Sequence, residues 1–367
     1  MKTHLGFARP DREYEALREP IDLAVGRVLR SGRLILGEEV ERFERELASA
    51  VGAEHAVGMS NGTDALVSAL HALGVAEGDE VIVAAFGFVA AAEAIVRVGA
   101  TPVFVDIEPR DIGLSATAVK RAVSERTRAL ISVDLFGVAH DLSGLRAAAP
   151  GIPIVEDAAQ ALGASLAGRR AGTLGEIGTF SFFPSKSLGA AGDGGACVTA
   201  DAELADRLSR IRVHGGGAYA WEMRGGNYRL DALQAAVLSV KLAALPARLA
   251  RRRAIGEGLV AVARRAGATA ITGSAECEGI FAPLALRIEA RRRHAVLTRL
   301  REAGVDARIH YPTTLAACAP FARYARNEAF PEAERATREL LSVPCHPELT
   351  DDEVDLLTGA LARALAS

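Results

Sequence analysis

Val81-Ile82-Val83, Pro102-Val103-Phe104-Val105, Ala129-Leu130-Ile131-Ser132 and Ile152-Pro153-Ile154-Val155 are four short, largely β-branched runs separated by Ala-rich stretches of helical length. Continuous apolar strands alternating with helices are the pattern of βαβ units, in which helices cover both faces of a mostly parallel sheet. An α/β fold is therefore expected from Ser60 to about Ala200. Between Gly178 and Thr199 two strand-like segments flank a glycine-rich loop, with no helix between them. Upstream, residues 15–51 read as two amphipathic helices broken near Ser31-Gly32 and Gly37. Downstream, a long helical stretch runs from Arg229 to Ala266, with a break or kink expected at Pro246. The last third reads as a smaller α+β unit, with a strand over 280–288, a helix over 290–303, and helices around 331–341 and 351–366. The expected division is a large domain over 1–245 and a small C-terminal domain over 246–367, with the cleft between them as the default site.

Composition narrows the function classes. The chain has 367 residues, half of them hydrophobic, with 43 Lys+Arg against 46 Asp+Glu and a formal net charge of −3. That balance, with no basic block, argues against nucleic acid as the main partner. The longest apolar run, Val81 to Ala92, is shorter than the ~20 residues of a membrane-spanning helix, and the first twenty residues hold no apolar secretion signal. Cys197, Cys277, Cys318 and Cys345 are widely spaced and form no C-x-x-C pair. A reduced, cytoplasmic chain with neither disulfides nor a metal site is expected.

Lysine usage points to one segment. Only Lys2, Lys120, Lys186 and Lys241 are lysine, against 39 arginines. In so arginine-rich a chain a lysine in an unusual setting invites a chemical reading, because an amine can lose its proton and attack a carbonyl whereas a guanidinium stays protonated. Lys186 lies in Ser181-Phe-Phe-Pro-Ser-Lys186-Ser-Leu-Gly-Ala-Ala-Gly-Asp-Gly-Gly195, between an aromatic strand end and a glycine-rich loop that lets backbone approach a planar ligand. A solvated loop lysine is the plain alternative. No G-x-x-x-x-G-K-[ST] precedes it, so a P-loop is excluded.

Two further segments fit the same chemistry. Asp157, in Val155-Glu156-Asp157-Ala-Ala-Gln160, falls at the C-terminal end of a strand, where α/β sheets bind ligands. A carboxylate there can keep a pyridine nitrogen protonated, which pyridoxal phosphate requires as an electron sink. Asp157 with Gln160 would equally make a capping box for a following helix. Ser60-Asn61-Gly62-Thr63-Asp64 precedes an amphipathic helix, whose N-terminal N–H groups and hydroxyls suit a phosphate, although Ser60 or Thr63 could simply cap it. In Phe86-Gly87-Phe88, an aromatic after a strand could stack on a cofactor ring or belong to the core.

The ordered motifs SNGTDAL, FGFVAAAEAI, VEDAAQALGA, GTFSFFPSKSLGAAGDGGA, GGNYRLDALQAA and ARIHYPT resemble the DegT/DnrJ/EryC1/StrS family of sugar aminotransferases. The resemblance covers nearly the whole chain, from SGRLILGEEVERFE to FPEAERATRELLSVPCHPELTDDEV. It implies an aspartate-aminotransferase-like fold (fold type I), pyridoxal 5′-phosphate as cofactor, and a homodimer with composite sites. By the same resemblance Lys186 would be the Schiff-base lysine and Asp157 the partner of the pyridine nitrogen. Gln160 would contact the ring edge, and Phe88 would stack on the ring face. Gly62, Thr63 and Ser181 would hold the phosphate, with Asn227 reaching in from a second subunit. Arg229, His310 and Tyr311 fall in segments that line the family's substrate cleft. Gly87, Ser187 and Tyr228 depart from the residues common at their positions. The implied activity is transfer of an amino group, L-glutamate being the family's usual donor, to a nucleotide-linked keto-sugar. The rivals are a cyclitol (keto-inositol) aminotransferase, the family's 3-dehydratase branch, which has histidine at the lysine position, and a regulatory protein without turnover.

Overall fold

The computed structural model describes residues 4–216, 220–326 and 328–366; Lys2 lies outside them. Its centre is a seven-stranded sheet built from β1 (His55–Met59), β2 (Glu80–Ala84), β3 (Thr101–Val105), β4 (Thr127–Val133), β5 (Ile154–Asp157), β8 (Ile177–Ser181) and β9 (Gly195–Thr199), in the order β1-β9-β8-β5-β4-β2-β3. Between β5 and β8 the chain makes β6 (Ser165–Leu166) and β7 (Arg169–Arg170), which with β11 (Cys277–Glu278) form a small satellite sheet. All pairings from β8 to β3 are parallel, and only β9 runs against its neighbours β8 and β1. The four apolar runs of the sequence are β2 to β5, and β2 and β5 are buried along their whole length. The antiparallel edge strand β1 escaped the sequence reading, because its five residues, HAVGM, lack a β-branched run.

Helices cover the sheet as expected of βαβ units: α1 (Pro10–Ser31), α2 (Glu38–Val51), α3 (Gly62–Ala72), α4 (Ala90–Arg97), α5 (Ala116–Ala122), α6 (Ser143–Ala148) and α7 (Ala202–Ile211). Then α8 (Ala232–Arg265) runs unbroken through Pro246, where a break or kink was expected. Its length and hydropathy alone would suit a membrane span, but half of its most apolar window is buried, and it packs against α1, α2 and α11 (Asp351–Leu365). Packing on three sides supplies what the missing proline hydrogen bond forfeits.

The C-terminal unit has a three-stranded antiparallel sheet, β10 (Thr269–Ala270), β12 (Leu284–Arg287) and β13 (Leu340–Val343), with α9 (Ala290–Glu302), α10 (Pro331–Glu339) and α11 packed around it. The helix expected to reach residue 341 ends at Glu339, because the apolar run from Leu340 is wholly buried as β13. Two hydrophobic clusters result. The larger surrounds the main sheet; the smaller gathers Leu259, Leu286, Leu300, Leu341 and Leu361. Residues of α8 join both, and the expected boundary at 245/246 falls inside this helix. Leu5 also belongs to the smaller cluster, bridged to Val305.

Candidate active site

The loop between β8 and β9 is tied down at each end. Phe182, fully buried, sits edge-on to Phe43 of α2 with ring centroids 5.5 Å apart, and its N–H donates to Gly194 O at 2.8 Å. Such an aromatic pair adds roughly 0.5–1.5 kcal/mol beyond its buried area. The Lys186 N–H donates to Phe183 O (2.8 Å) and the Ala190 N–H to Phe182 O (2.7 Å). From α8, Gln234 Oε1 accepts the Ala191 N–H at 2.8 Å and Lys241 Nζ donates to Gly189 O at 2.7 Å. A Cβ on Gly189 would lie 2.6 Å from Pro184 O, so glycine is required where the loop folds back on itself.

Lys186 projects from this loop into a cavity of about 1320 Å³ that is also lined by Gly62, Thr63, Phe88, Asp157, Gln160, Ser181, His310 and Tyr311. Nine of the eleven expected site residues are thereby brought together. Asn227 and Arg229 are not in that wall: Asn227 is exposed and bridged to Val213, and Arg229 is bridged to Met59, its buried Nε without a partner among the described residues.

Asp157 closes β5, and alternation along the strand separates its face from that of Glu156. Glu156 accepts the N–H groups of Gly172 (2.6 Å), Leu174 (2.6 Å) and Gly175 (3.1 Å), fixing the segment that leads into β8. Asp157 accepts one N–H, from Ala159 at 3.1 Å. Burial raises its pKa to about 6, against the lowering effect of that N–H and of the Lys186 charge. No helix follows Asp157; residues 159–163 are turns. The capping-box reading is therefore overturned, and Gln160 has another partner: its Oε1 accepts the Phe136 N–H at 2.8 Å. Burial lowers the Lys186 pKa, with Asp157 opposing.

At the other end of the cavity α3 begins at Gly62. Its cap is Asn61, whose Oδ1 accepts the Asp64 N–H at 2.8 Å, while Ser60 Oγ donates to the Asp64 carboxylate at 2.6 Å. Neither Ser60 nor Thr63 caps the helix, which leaves the Thr63 hydroxyl in the cavity wall. A Cβ on Gly62 would fall 2.6 Å from Ser181 Cβ, and one on Gly195 2.4 Å from the Asn61 carbonyl carbon. Glycine at both positions thus brings the helix N-terminus against the ends of β8 and β9, forming an anion cradle.

Phe88 is 54% exposed and faces Tyr311 at 6.2 Å between centroids. Burial, and then the Arg308 charge, lower the His310 pKa to about 4, so its ring is neutral at pH 7; its Nδ1 is buried without a partner among the described residues. Sequence reasoning missed the support behind Asp157. The Asp134 N–H donates to Asp157 O at 2.9 Å, and the buried Asp134 carboxylate lies 3.2 Å from His140 Nδ1. Burial alone would lower the His140 pKa, but Asp134 and Asp111 raise it to about 9. Asp134 and His140 sit in an irregular loop after β4, where no periodicity signals a contact.

The residues present fit pyridoxal phosphate. Among the described residues the Lys186 amine has no hydrogen-bond partner, a buried carboxylate stands within its field, and a glycine-built helix N-terminus opens into the same cavity. The sequence profile of the DegT/DnrJ/EryC1/StrS aminotransferase family matches residues 15–362. A pleiotropic regulatory protein of Geobacillus stearothermophilus is 40% identical over 358 residues, 96% of either chain. A UDP-N-acetyl-3-dehydro-alpha-D-glucosamine 3-aminotransferase of Acidithiobacillus ferrooxidans is 40% identical over 359 residues, covering 96% of this chain and 95% of that protein. The crystal structure of DesV from S. venezuelae in complex with a ketimine intermediate superposes with a TM-score of 0.94 at 38% identity, covering 99% of each chain.

Proposed function

The chain belongs to the DegT/DnrJ/EryC1/StrS aminotransferase family, whose members depend on pyridoxal phosphate, and on that premise we propose that it aminates a nucleotide-linked sugar bearing a ketone at C3. The observation that carries this reading is the pairing of the unpartnered Lys186 amine with buried Asp157 in one cavity. The cavity of about 1320 Å³ has to take the cofactor as well as the substrate, and the choice of a nucleotide-linked sugar over a free cyclitol follows the relative named for a UDP-linked sugar. The position of the ketone follows the relative whose name specifies a 3-dehydro sugar.

In this reading Thr63, Ser181 and the N-terminus of α3 would hold the cofactor phosphate, Phe88 would lie against its ring, and Lys186 would be the residue that anchors it. Bound pyridoxal phosphate supplies an electron sink that acidifies the α-proton of an amino donor. Lys186, whose amine burial makes easier to deprotonate, would be the group that moves a proton at the substrate. Asp157 keeps a proton on the ring nitrogen, and the Asp134 N–H fixes the backbone of Asp157. The donor is L-glutamate, and the working unit is a homodimer in which Asn227 completes the partner's site.

The test is an assay of the holoenzyme with L-glutamate against a UDP-linked 3-keto sugar and against a keto-inositol. Mass spectrometry should show an amine in place of the ketone only on the nucleotide sugar. Amination of the keto-inositol alone would establish the cyclitol reading. A regulatory role without turnover, raised by one relative's name, requires that neither substrate be converted.

A further inference from the structure

Arg252 lies on α8 with only 6% of its surface exposed, and it lines the same cavity as Lys186. Among the described residues no hydrogen bond or ion pair satisfies its guanidinium. The carboxylates whose charge it feels are already engaged. Glu13 pairs with Lys241 at 2.9 Å and Arg248 at 3.0 Å, while Glu348 pairs with Arg248 and lies 3.1 Å from His346 Nδ1. Cys345, beside Arg252, offers no charge: burial raises its thiol to about 12. Two carboxylates thus face three cations, Lys241, Arg248 and Arg252. A guanidinium cannot shed its proton to relieve the imbalance, and a buried charge without a partner is costly to hold. Arg252 lines the cavity wall, so its guanidinium is open to a ligand that supplies the missing charge.

We propose that Arg252 is an anion subsite of the active-site cavity, binding an oxyanion group, carboxylate or phosphate, of a substrate that reacts at Lys186. The planar fork of donors suits either group in bidentate fashion. The two sources are the carboxylate of the amino donor and the diphosphate of a nucleotide. The inference rests on the transamination reading only for that choice of sources.

The experiment is calorimetric titration of the holoenzyme with 2-oxoglutarate and, separately, with inorganic pyrophosphate, for the wild type, Arg252→Gln and Arg252→Lys. At least one probe should bind the wild type, and Arg252→Gln should weaken it by about tenfold to a hundredfold, the range of a lost charge-assisted hydrogen bond. Arg252→Lys should fall between the two. Weakening for 2-oxoglutarate identifies the donor carboxylate, and weakening for pyrophosphate the diphosphate. Thermal unfolding of the same proteins gives an independent readout. Removing an uncompensated charge should leave Tm unchanged or raise it, whereas removing a structural arginine lowers it. Unchanged affinity for both probes overturns the proposal, as does failure of the wild type to bind either at tens of millimolar. A fall in Tm of several degrees without loss of affinity assigns Arg252 to the scaffold. Because the readout is binding, an error in the keto-sugar assignment leaves these outcomes intact.

Discussion

Lys186 and Lys241 are both withdrawn from bulk water, yet their surroundings are opposite. Lys241 is 5% exposed and partnered: Glu13 accepts from it at 2.9 Å and Gly189 O at 2.7 Å, so its charge is matched where it stands. Lys186 faces a cavity, its amine without a hydrogen bond among the described residues and its countercharge, Asp157, an acid that is itself hard to ionise. Burial by itself therefore does not mark chemistry. A buried amine with its partners built in is a strut, and one without them is a reagent. The two are physically joined, because the strut holds the loop that carries the reagent.

The comparison breaks most visibly at Lys186. Lys186→Arg installs a guanidinium that can neither bond to the cofactor nor exchange a proton at pH 7, and turnover should be abolished. Borohydride treatment of the wild-type holoenzyme should fix the cofactor on the tryptic peptide that contains Lys186. Label on the Lys241 or Lys120 peptide instead would reverse the assignment of strut and reagent.

Asp157→Asn should lower kcat by about a hundredfold or more, since an amide cannot hold the ring nitrogen protonated. Its stability signature depends on pH. The folded-state pKa of Asp157 lies near 6, above the ordinary 3.8, so the unfolded chain ionises first. The stability contributed by the neutral acid is present below about pH 3.8 and is lost as pH rises through 6. Without cofactor, Asp157→Asn should therefore match or exceed the wild type in thermal stability at pH 8, and the gap should close toward pH 4. A mutant less stable than the wild type at pH 8 would make Asp157 a structural residue like Lys241.

The reagent side of this contrast was more legible in the sequence than the strut side. Lys186 stood out by the scarcity of lysine and by its glycine-rich loop, and Asp157 by its place at the end of an apolar strand. The strands β2 to β5 were readable because buried parallel strands are apolar on both faces. The partners of Lys241 were not readable: Glu13 lies in α1 and Gly189 in a loop, and nothing local reports a contact between segments so distant in sequence. Local rules also misassigned groups with nonlocal partners. Gln160, three residues after Asp157, looked like half of a capping box, yet its side-chain oxygen serves the Phe136 N–H. Pro246 looked like a helix break, yet packing carries α8 through it.

Lys241→Met tests the strut. Leaving one member of a buried ion pair alone costs about 3–5 kcal/mol. Arg248, 3.0 Å from Glu13, stays behind to absorb part of that charge, so denaturant unfolding should show a loss of about 2–4 kcal/mol. Adding Glu13→Gln should restore part of it. The activity of the folded fraction should fall less than tenfold, since the Gly189 carbonyl loses one donor but Gln234 still holds Ala191. A collapse of kcat with unchanged stability would move Lys241 into the reaction.

The smallest expected signal separates the two lysines by chain. Both partners of Lys241 belong to its own chain, whereas the proposed homodimer completes the Lys186 site with Asn227 from the second subunit; within one chain Asn227 is exposed and absent from the cavity wall. Lys186→Ala removes the amine, and Asn227→Asp places a carboxylate against the cofactor phosphate of the opposite site, so each variant alone should be inactive. In a mixed dimer both lesions fall in one site and the other is wild type. With random exchange half of the dimers are mixed, each with one good site of two, and roughly a quarter of wild-type activity should return by this counting. Mixing Lys186→Ala with Lys241→Met should give no intact site, because each lesion stays with its own chain's loop. No recovery in the first mixture, with exchange verified by mass spectrometry, would put Asn227 and Lys186 in one chain's site or detach Asn227 from the cofactor. Recovery in the second mixture beyond the residual activity of Lys241→Met would mean that the strut, too, acts across the interface.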